Sequence, residues 1–150
     1  MIVIEEPEHH LYALRMTGMT MNLSLFDKLG GSAAVHATVE IFHTKILDDP
    51  KLKPFFKGVD MNDQKRKQRD FLTMAFGGPH NYDGQDLTEA HSYLVKMKGL
   101  SDEHFDAVAG HLQDTLTELD VPKDLAAEVM EIAGGTRDAV LGRKPKEQVA

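Results

Sequence analysis

The apolar residues of this 150-residue chain recur every three or four positions from Ser24 onward, which is the period of an amphipathic helix. A clear example is the stripe formed by Val35, Val39, Phe42 and Ile46. No stretch alternates apolar and polar residues as a half-buried strand does, and no hairpin turn joins two stretches of that kind. The sequence therefore predicts an all-α fold.

Capping residues and glycines set the bounds of the predicted helices. Ser24 with Asp27 begins the first helix, and a pair of glycines at 30 and 31 ends it. The predicted helices cover residues 25–29, 33–47, 60–76, 87 to about 99, 102 to about 119, and 122 to about 133. The segment 50–58 contains two prolines and adjacent phenylalanines, so we expect a tight corner with inward-pointing rings.

The length corresponds to about one domain. Residues 1–24 differ in character from the rest, with Met16, Met19 and Met21 crowded before the first helix signal. We therefore expect an N-terminal extension over 1–24, with the native start at Met19 or Met21 as an alternative. The domain itself is expected over 25–141, followed by a tail over 142–150.

Composition excludes several classes of function. Seventeen basic residues against 24 acidic ones give a net charge of −7, which predicts neither a nucleic acid nor a membrane partner. No apolar run approaches the roughly 18 residues of a membrane span, and the glutamates near the N-terminus do not suit a signal peptide. A cytoplasmic location is therefore predicted. The absence of cysteine excludes disulfides and thiolate ligands, so any metal must be held by nitrogen or oxygen.

Polar side chains fall on the apolar faces of three predicted helices. Gln64 and Gln68 share a face with Phe71, His91 lies between Leu87 and Leu94, and His43 follows Phe42. A single histidine in such a place is usually a satisfied core residue, but three helices together weaken that interpretation. An apolar cavity with a few convergent polar groups is typical of a cofactor site, and haem fits the imidazoles and phenylalanines best.

Several motifs occur in the order and spacing of a known family. They are L-F-D-K-L-G-G at 25–31, D-D-P-K-L-K-P-F-F at 48–56, V-D-M at 59–61, D-F-L-T-M-A-F-G-G-P at 70–79, E-A-H at 89–91 and H-F-D-A-V-A-G-H-L at 104–112. Over residues 25–141 the chain resembles the truncated haemoglobins of group I. The resemblance implies a globin-like, two-over-two helical sandwich around one non-covalent haem b per chain, and a monomer.

The resemblance also implies the roles of individual residues. His91 matches the proximal iron ligand, while Gln64 and Gln68 match distal positions that hydrogen-bond bound ligand. The positions that match the wall of the haem pocket are Phe56, Phe71, Leu72, Tyr82 and Phe105. The resemblance assigns no role to His36, His80, His104 and His111, which we interpret as surface or loop residues.

Two distal positions leave alternatives open. The family usually has tyrosine where this chain has His43, which can donate an N–H, bind iron as a sixth ligand, or turn aside to a backbone carbonyl. Lys67 can serve as a sixth ligand after losing its proton, or stay charged and pair with a haem propionate. We favour the pairing with propionate.

The function implied by the resemblance is binding of dioxygen and other diatomic ligands, including nitric oxide and carbon monoxide. Oxidation of nitric oxide to nitrate, supported by an external reductase, is the reaction we expect. One alternative is a non-enzymatic carrier or sensor of oxygen. Another is a cofactor-free helical interaction module, in which His91 and the phenylalanines are core residues.

Overall fold

The computed structural model describes residues 23–79 and 84–143, and these residues contain helices and no strand. The helices are α1 (Leu25–Leu29), α2 (Gly31–Asp48), α3 (Met61–Ala75), α4 (Gly84–Lys98), α5 (Asp102–Glu118), α6 (Lys123–Gly134) and α7 (Arg137–Val140). A short 3-10 helix, Lys53–Phe56, forms the corner between α2 and α3. The all-α prediction is confirmed.

Side-chain caps begin several helices where the sequence predicts them. The Ser24 hydroxyl accepts the Asp27 N–H at 3.1 Å, and the Asp60 carboxylate accepts the Asn62 N–H at 2.9 Å. Ser101 begins α5, and its backbone N–H donates to Nδ1 of His104 at 3.0 Å. Each bond satisfies an N–H that has no partner within a helix, which fixes the entry of the chain into α1, α3 and α5.

The main core lies around α2, which packs against α3 on one side and α5 on the other, while α6 covers α3 and α5. Its largest fully buried side chains are Phe76, Leu52, Leu72, Leu112 and Leu116. These residues come from three different segments, so burial of their apolar surface ties the helices together. The described residues include no helix long and apolar enough to cross a membrane.

A second, smaller core holds α4 against α7. Leu87, Val140 and Leu141 form its centre, and the Thr88 hydroxyl donates to the Ala139 carbonyl at 2.6 Å. Arg137 and Arg143 both pair with Asp102 at the start of α5, at 3.0 and 2.9 Å. The C-terminal residues 137–143 are thereby fixed against α4 and α5.

Three features of the helices differ from the sequence predictions. Helix α2 begins at Gly31, whose φ of +66° suits glycine, two residues before the predicted start. Helix α4 begins at Gly84 rather than after Asp86, and α7 was not predicted because four residues carry no periodic signal. Most of the expected extension over 1–24 and of the tail over 142–150 lies outside the described residues.

The glycine pair after α3 allows α1 to approach closely. A Cβ added to Gly78 would lie 2.5 Å from Cδ1 of Phe26, well inside van der Waals contact, whereas one added to Gly110 would meet nothing within 4 Å. Phe26 packs against the main core, so its ring has little room to move away. Gly78 is therefore required by close packing rather than by its backbone angles.

We expect Gly78→Ala to destabilise the protein by about 1–3 kcal/mol, because the new methyl group overpacks against the Phe26 ring. Gly110→Ala is the matched control. It lies exposed inside α5, where alanine is favoured over glycine by up to about 1 kcal/mol. Urea denaturation measures both values, and equal stability of the two variants would contradict the packing argument.

Candidate functional site

A cavity of about 370 Å³ opens between the α2–α3 side of the molecule and the α4, α5 and α7 side. Most of the residues that line the cavity are apolar. They include Phe42, Phe55, Phe56, Phe71, Leu94, Phe105 and Val140. Four polar or ionisable side chains predicted as site residues also line it, namely Gln64, Lys67, Gln68 and His91. A volume in the range of 300–1,000 Å³ with few polar groups is typical of a ligand site.

His91 presents a neutral imidazole to this cavity. Its Nδ1 lies 2.8 Å from the Leu87 carbonyl oxygen one turn earlier in α4. Because a carbonyl only accepts, the proton resides on Nδ1 and the lone pair on Nε2 is free. Burial lowers the pKa of His91, the hydrogen bond to Leu87 raises it, and the charge of Lys67 lowers it. Neutral imidazole with a free Nε2 is the form that binds iron.

Aromatic rings from three elements form the walls of the cavity. Phe56 comes from the corner, Phe71 from α3 and Phe105 from α5. The Arg137 guanidinium lies 4.6 Å from the centre of the Phe105 ring and covers its outer side. Leu72 is fully buried in the main core and is not among the lining residues, so it supports this wall from behind. Tyr82 lies outside the described residues.

The polar side of the cavity is formed by α3 and, behind it, α2. Gln64 and Gln68 both line the cavity, and Gln68 is only 6% exposed. His43 is 5% exposed but does not reach the cavity surface. Its Nδ1 and the Oε1 of Gln68 are buried without a hydrogen-bond partner, an arrangement that costs about 1–3 kcal/mol for each atom.

Burial lowers the pKa of His43, as does the charge of Lys65, whereas a hydrogen bond with Gln68 and the charge of Glu40 raise it. Burial is the largest effect, so the ring is neutral near pH 7.

Lys67 lies at the mouth of the cavity rather than inside it. Its side chain is 53% exposed, and its Nζ is 3.4 Å from Oδ2 of Asp63. Water therefore still reaches much of this side chain. The mouth therefore offers a cation to an anionic group of any ligand that fills the cavity.

Two histidines interpreted as surface or loop residues also have structural partners. His104 lines the cavity, caps the start of α5 and meets the Phe55 ring edge to face at 4.8 Å. His111 lies 2.7 Å from Oδ2 of Asp49, which joins α5 to the end of α2. Both are partly exposed, so they lie at the surface as interpreted, but each also has a structural role. The capping position after Ser101 was a usable signal for His104, but no sequence pattern links residues 49 and 111.

Tyr93 is a lining residue that the sequence did not suggest. It lies two positions after His91 in α4, and its side chain is largely exposed at the cavity surface. His36 is exposed as predicted, while His80 lies outside the described residues.

The residues of the cavity fit a haem group. The described residues contain no group of three or more His, Cys, Asp or Glu side chains that could hold a bare metal ion. They do supply the neutral His91 imidazole in an apolar space, with aromatic rings on its walls and the amide groups of Gln64 and Gln68 at its surface. A metal carried by a macrocycle needs only that single protein ligand.

A helical fold with a cavity of this kind fits the class of haem-binding proteins, and comparison with known proteins identifies the family. The model of the bacterial-like globins matches residues 24–141. The group 1 truncated hemoglobin of Synechocystis is 50% identical over 111 residues, which is 74% of this chain and 90% of the relative. The corresponding protein of Tetrahymena thermophila is 42% identical over 120 residues, 80% of this chain and 96% of the relative.

The solved structures show the same similarity. The 2/2 hemoglobin from Synechococcus sp. PCC 7002, determined with covalently attached heme, superposes with a TM-score of 0.75 at 47% identity. The match covers 81% of this chain and all of that one. The chain therefore belongs to the bacterial-like globin family and, within it, to the truncated haemoglobins of group 1. Membership in this family makes it a haem protein that binds gaseous diatomic ligands, and the predicted two-over-two globin fold is confirmed.

We expect the stability of the haem-free protein to fall as the pH drops through about 6.5. Burial lowers the pKa values of His43 and His91 below the 6.5 of an exposed histidine, so the unfolded chain binds more protons in this range. Urea denaturation at about pH 7.5 and about pH 5.5 measures the difference, above the range in which carboxyl groups titrate.

His91→Gln should reduce this pH dependence, because it removes one of the two imidazoles whose pKa is lowered. His36→Gln, which changes an exposed histidine on α2, is the control and should retain the full dependence. A wild-type free energy of unfolding that is the same at both pH values would contradict the assignment.

Proposed function

We propose that this protein holds one non-covalent haem b through His91, binds dioxygen reversibly and oxidises nitric oxide to nitrate. The observation that carries the proposal is the half-buried His91 ring, whose Nδ1 is occupied by the Leu87 carbonyl while Nε2 is free within an apolar cavity. In a cofactor-free helical module, a core histidine would pack against other side chains and would not line a cavity of this size. Membership in the globin family supports the same conclusion.

Haem supplies the iron at which dioxygen binds and reacts with nitric oxide. The side chains of the protein orient the iron ligand, exclude water and offer hydrogen bonds to a bound diatomic ligand. Leu87 orients the His91 ring through its carbonyl, and the Phe56, Phe71 and Phe105 rings exclude water from the cavity. Gln64 and Gln68 place amide groups on the opposite side, where they can hydrogen-bond a diatomic ligand. Conversion of nitric oxide and dioxygen to nitrate would take up one electron in each turnover, so we further propose an external reductase as a partner that would supply it.

Lys67 is proposed to bind a haem propionate rather than the iron. Its side chain is half exposed at the cavity mouth, and Asp63 keeps it in an ionic environment. A sixth ligand would have to reach the iron inside the cavity, whereas this ammonium group pairs with Asp63 at the mouth. The buried and partly unpartnered His43 does not reach the cavity surface, which argues against a role as sixth ligand.

The attachment of haem is proposed to be non-covalent, in contrast to the covalently attached heme of the Synechococcus structure. The chain contains no cysteine that could form a thioether with haem, and the free Nε2 of His91 is the atom proposed to bind the iron. His104 is the other imidazole that lines the cavity, and its Nδ1 already accepts the Ser101 N–H. A monomeric state and a cytoplasmic location stay predictions from the sequence.

Hemin titration tests the assignment of His91. We expect the wild-type Soret absorbance to saturate at one hemin per chain, with all of the haem extracted into acidified butanone. His91→Ala should weaken hemin binding by more than ~tenfold, which corresponds to ~1.4 kcal/mol. His36→Ala is the control and should bind as the wild type does. A wild-type protein that stays colourless would refute the proposed function.

Stopped-flow mixing of the oxygenated protein with nitric oxide tests the reaction. We expect stoichiometric nitrate and the oxidised protein, formed at a rate well above that of dioxygen dissociation, because both reactants meet inside the cavity. If oxidation is no faster than dissociation, the protein is a carrier or sensor of oxygen instead. The measurement thus separates the two functions without depending on the natural reductase.

A further inference from the structure

A second, open depression lies beside the cavity that contains His91, where the end of α2, the 3-10 corner and the start of α3 meet. Its volume is about 730 Å³. Two of its lining residues are Lys53 and Lys57. The other six are apolar, namely Leu47, Pro50, Pro54, Phe56, Val59 and Met61. His91 does not line this depression, and the proposed haem chemistry assigns no ligand to it.

The two lysines of the depression form no ion pair with any residue that the structure describes. Lys51, in the same corner, pairs with Glu103 at 3.6 Å, and Lys65 on α3 pairs with Glu40 at 3.0 Å. The chain has 24 acidic residues against 17 basic ones, so carboxylates are not scarce. Two cations without a counter-charge beside an apolar surface favour an anionic ligand.

The acidic residues next to the depression in the sequence do not line it. The Asp60 carboxylate accepts the N–H groups of Asn62 and Asp63 at 2.9 and 3.3 Å, and Asp49 is 2.7 Å from His111. The segment 51–69 supplies most of the lining and contains seven basic and two acidic residues, a charge of +5 in a chain of −7. The depression therefore lies in the most basic part of an acidic protein.

The apolar surface of the depression restricts the class of anion. Val59 is 37% exposed, and Phe56 is half-buried and packs against the main core from this side. A small hydrophilic anion would pair with the lysines and leave this surface in water. An anion with an apolar chain covers it and gains the hydrophobic contribution as well. The volume is that of a site for one small molecule, and the net charge of −7 opposes contact with an anionic membrane.

We propose that this depression binds a free long-chain carboxylate, whose chain covers the apolar surface and whose head group pairs with Lys53 and Lys57. Phe56 and Val59 line both the depression and the cavity that contains His91, so they separate the two sites by the thickness of their side chains. Binding of the carboxylate is independent of the proposed reaction with nitric oxide.

Calorimetric titration of the hemin-loaded protein with monomeric laurate tests the proposal, because hemin then fills the other cavity. We expect one laurate per chain. The affinity should rise about two- to fourfold for each methylene added from octanoate to laurate. Octanol, which has the chain without the charge, should bind about fivefold or more weakly than octanoate, and only the binding of octanoate should weaken with added salt.

Substitutions of the lining residues separate the two contributions. The double variant Lys53→Gln with Lys57→Gln should bind laurate about fivefold more weakly, as expected for two exposed ion pairs, and should lose most of the salt dependence. Lys123→Gln is the matched control. It changes an exposed lysine at the start of α6 that also pairs with no described residue, and its laurate affinity should equal that of the wild type. Met61→Gln should weaken laurate binding and leave the salt dependence unchanged.

Three results would overturn the proposal. They are the absence of laurate binding, an equal affinity of the wild type and the double lysine variant, and binding of octanol as tight as that of octanoate. Sedimentation with phosphatidylglycerol vesicles without binding of monomeric laurate would assign the lysines to a membrane surface instead, and would likewise refute it. Failure to bind hemin would refute the proposed function, whereas the lysine-dependent binding of laurate is measured separately, so the two failures are distinguishable.

Discussion

The bond between the His91 ring and the Leu87 carbonyl is the interaction on which the site depends. It joins two residues one turn apart on α4, so the rigid helix fixes the direction of the ring as well as its tautomer. Burial then keeps the ring neutral. An exposed histidine in the same position would be partly protonated and free to rotate, and the cavity would have no ordered ligand for iron.

The rest of the molecule holds that helix in place from the outside. The second core packs α4 against α7, and Thr88 bonds to a carbonyl of α7. Arginines at 137 and 143 anchor the same segment to Asp102 of α5, and Arg137 also covers the Phe105 ring. Exposed ion pairs contribute little individually, but here several of them act on one short segment that closes the cavity.

The two sides of the cavity differ in chemistry. One side offers the His91 imidazole with its free Nε2, and the other offers the amide groups of Gln64 and Gln68. The unpartnered Nδ1 of His43 and Oε1 of Gln68 are a cost in stability that a well-packed apolar core would avoid. Such a cost is understandable where a polar group is kept for a ligand, since buried polar atoms without partners are otherwise rare.

The sequence by itself determined the helices, most of their caps and the residues that face inward, because periodicity and capping depend on neighbours within a few positions. It also singled out His91, Gln64 and Gln68, since a polar group on an apolar face is visible without a structure. The position of Leu72 behind the wall, the withdrawal of His43 from the cavity surface and the pairing of His111 with Asp49 were decided only by the tertiary structure. These features depend on how far two helices approach each other, and that distance is fixed by packing among residues remote in the chain.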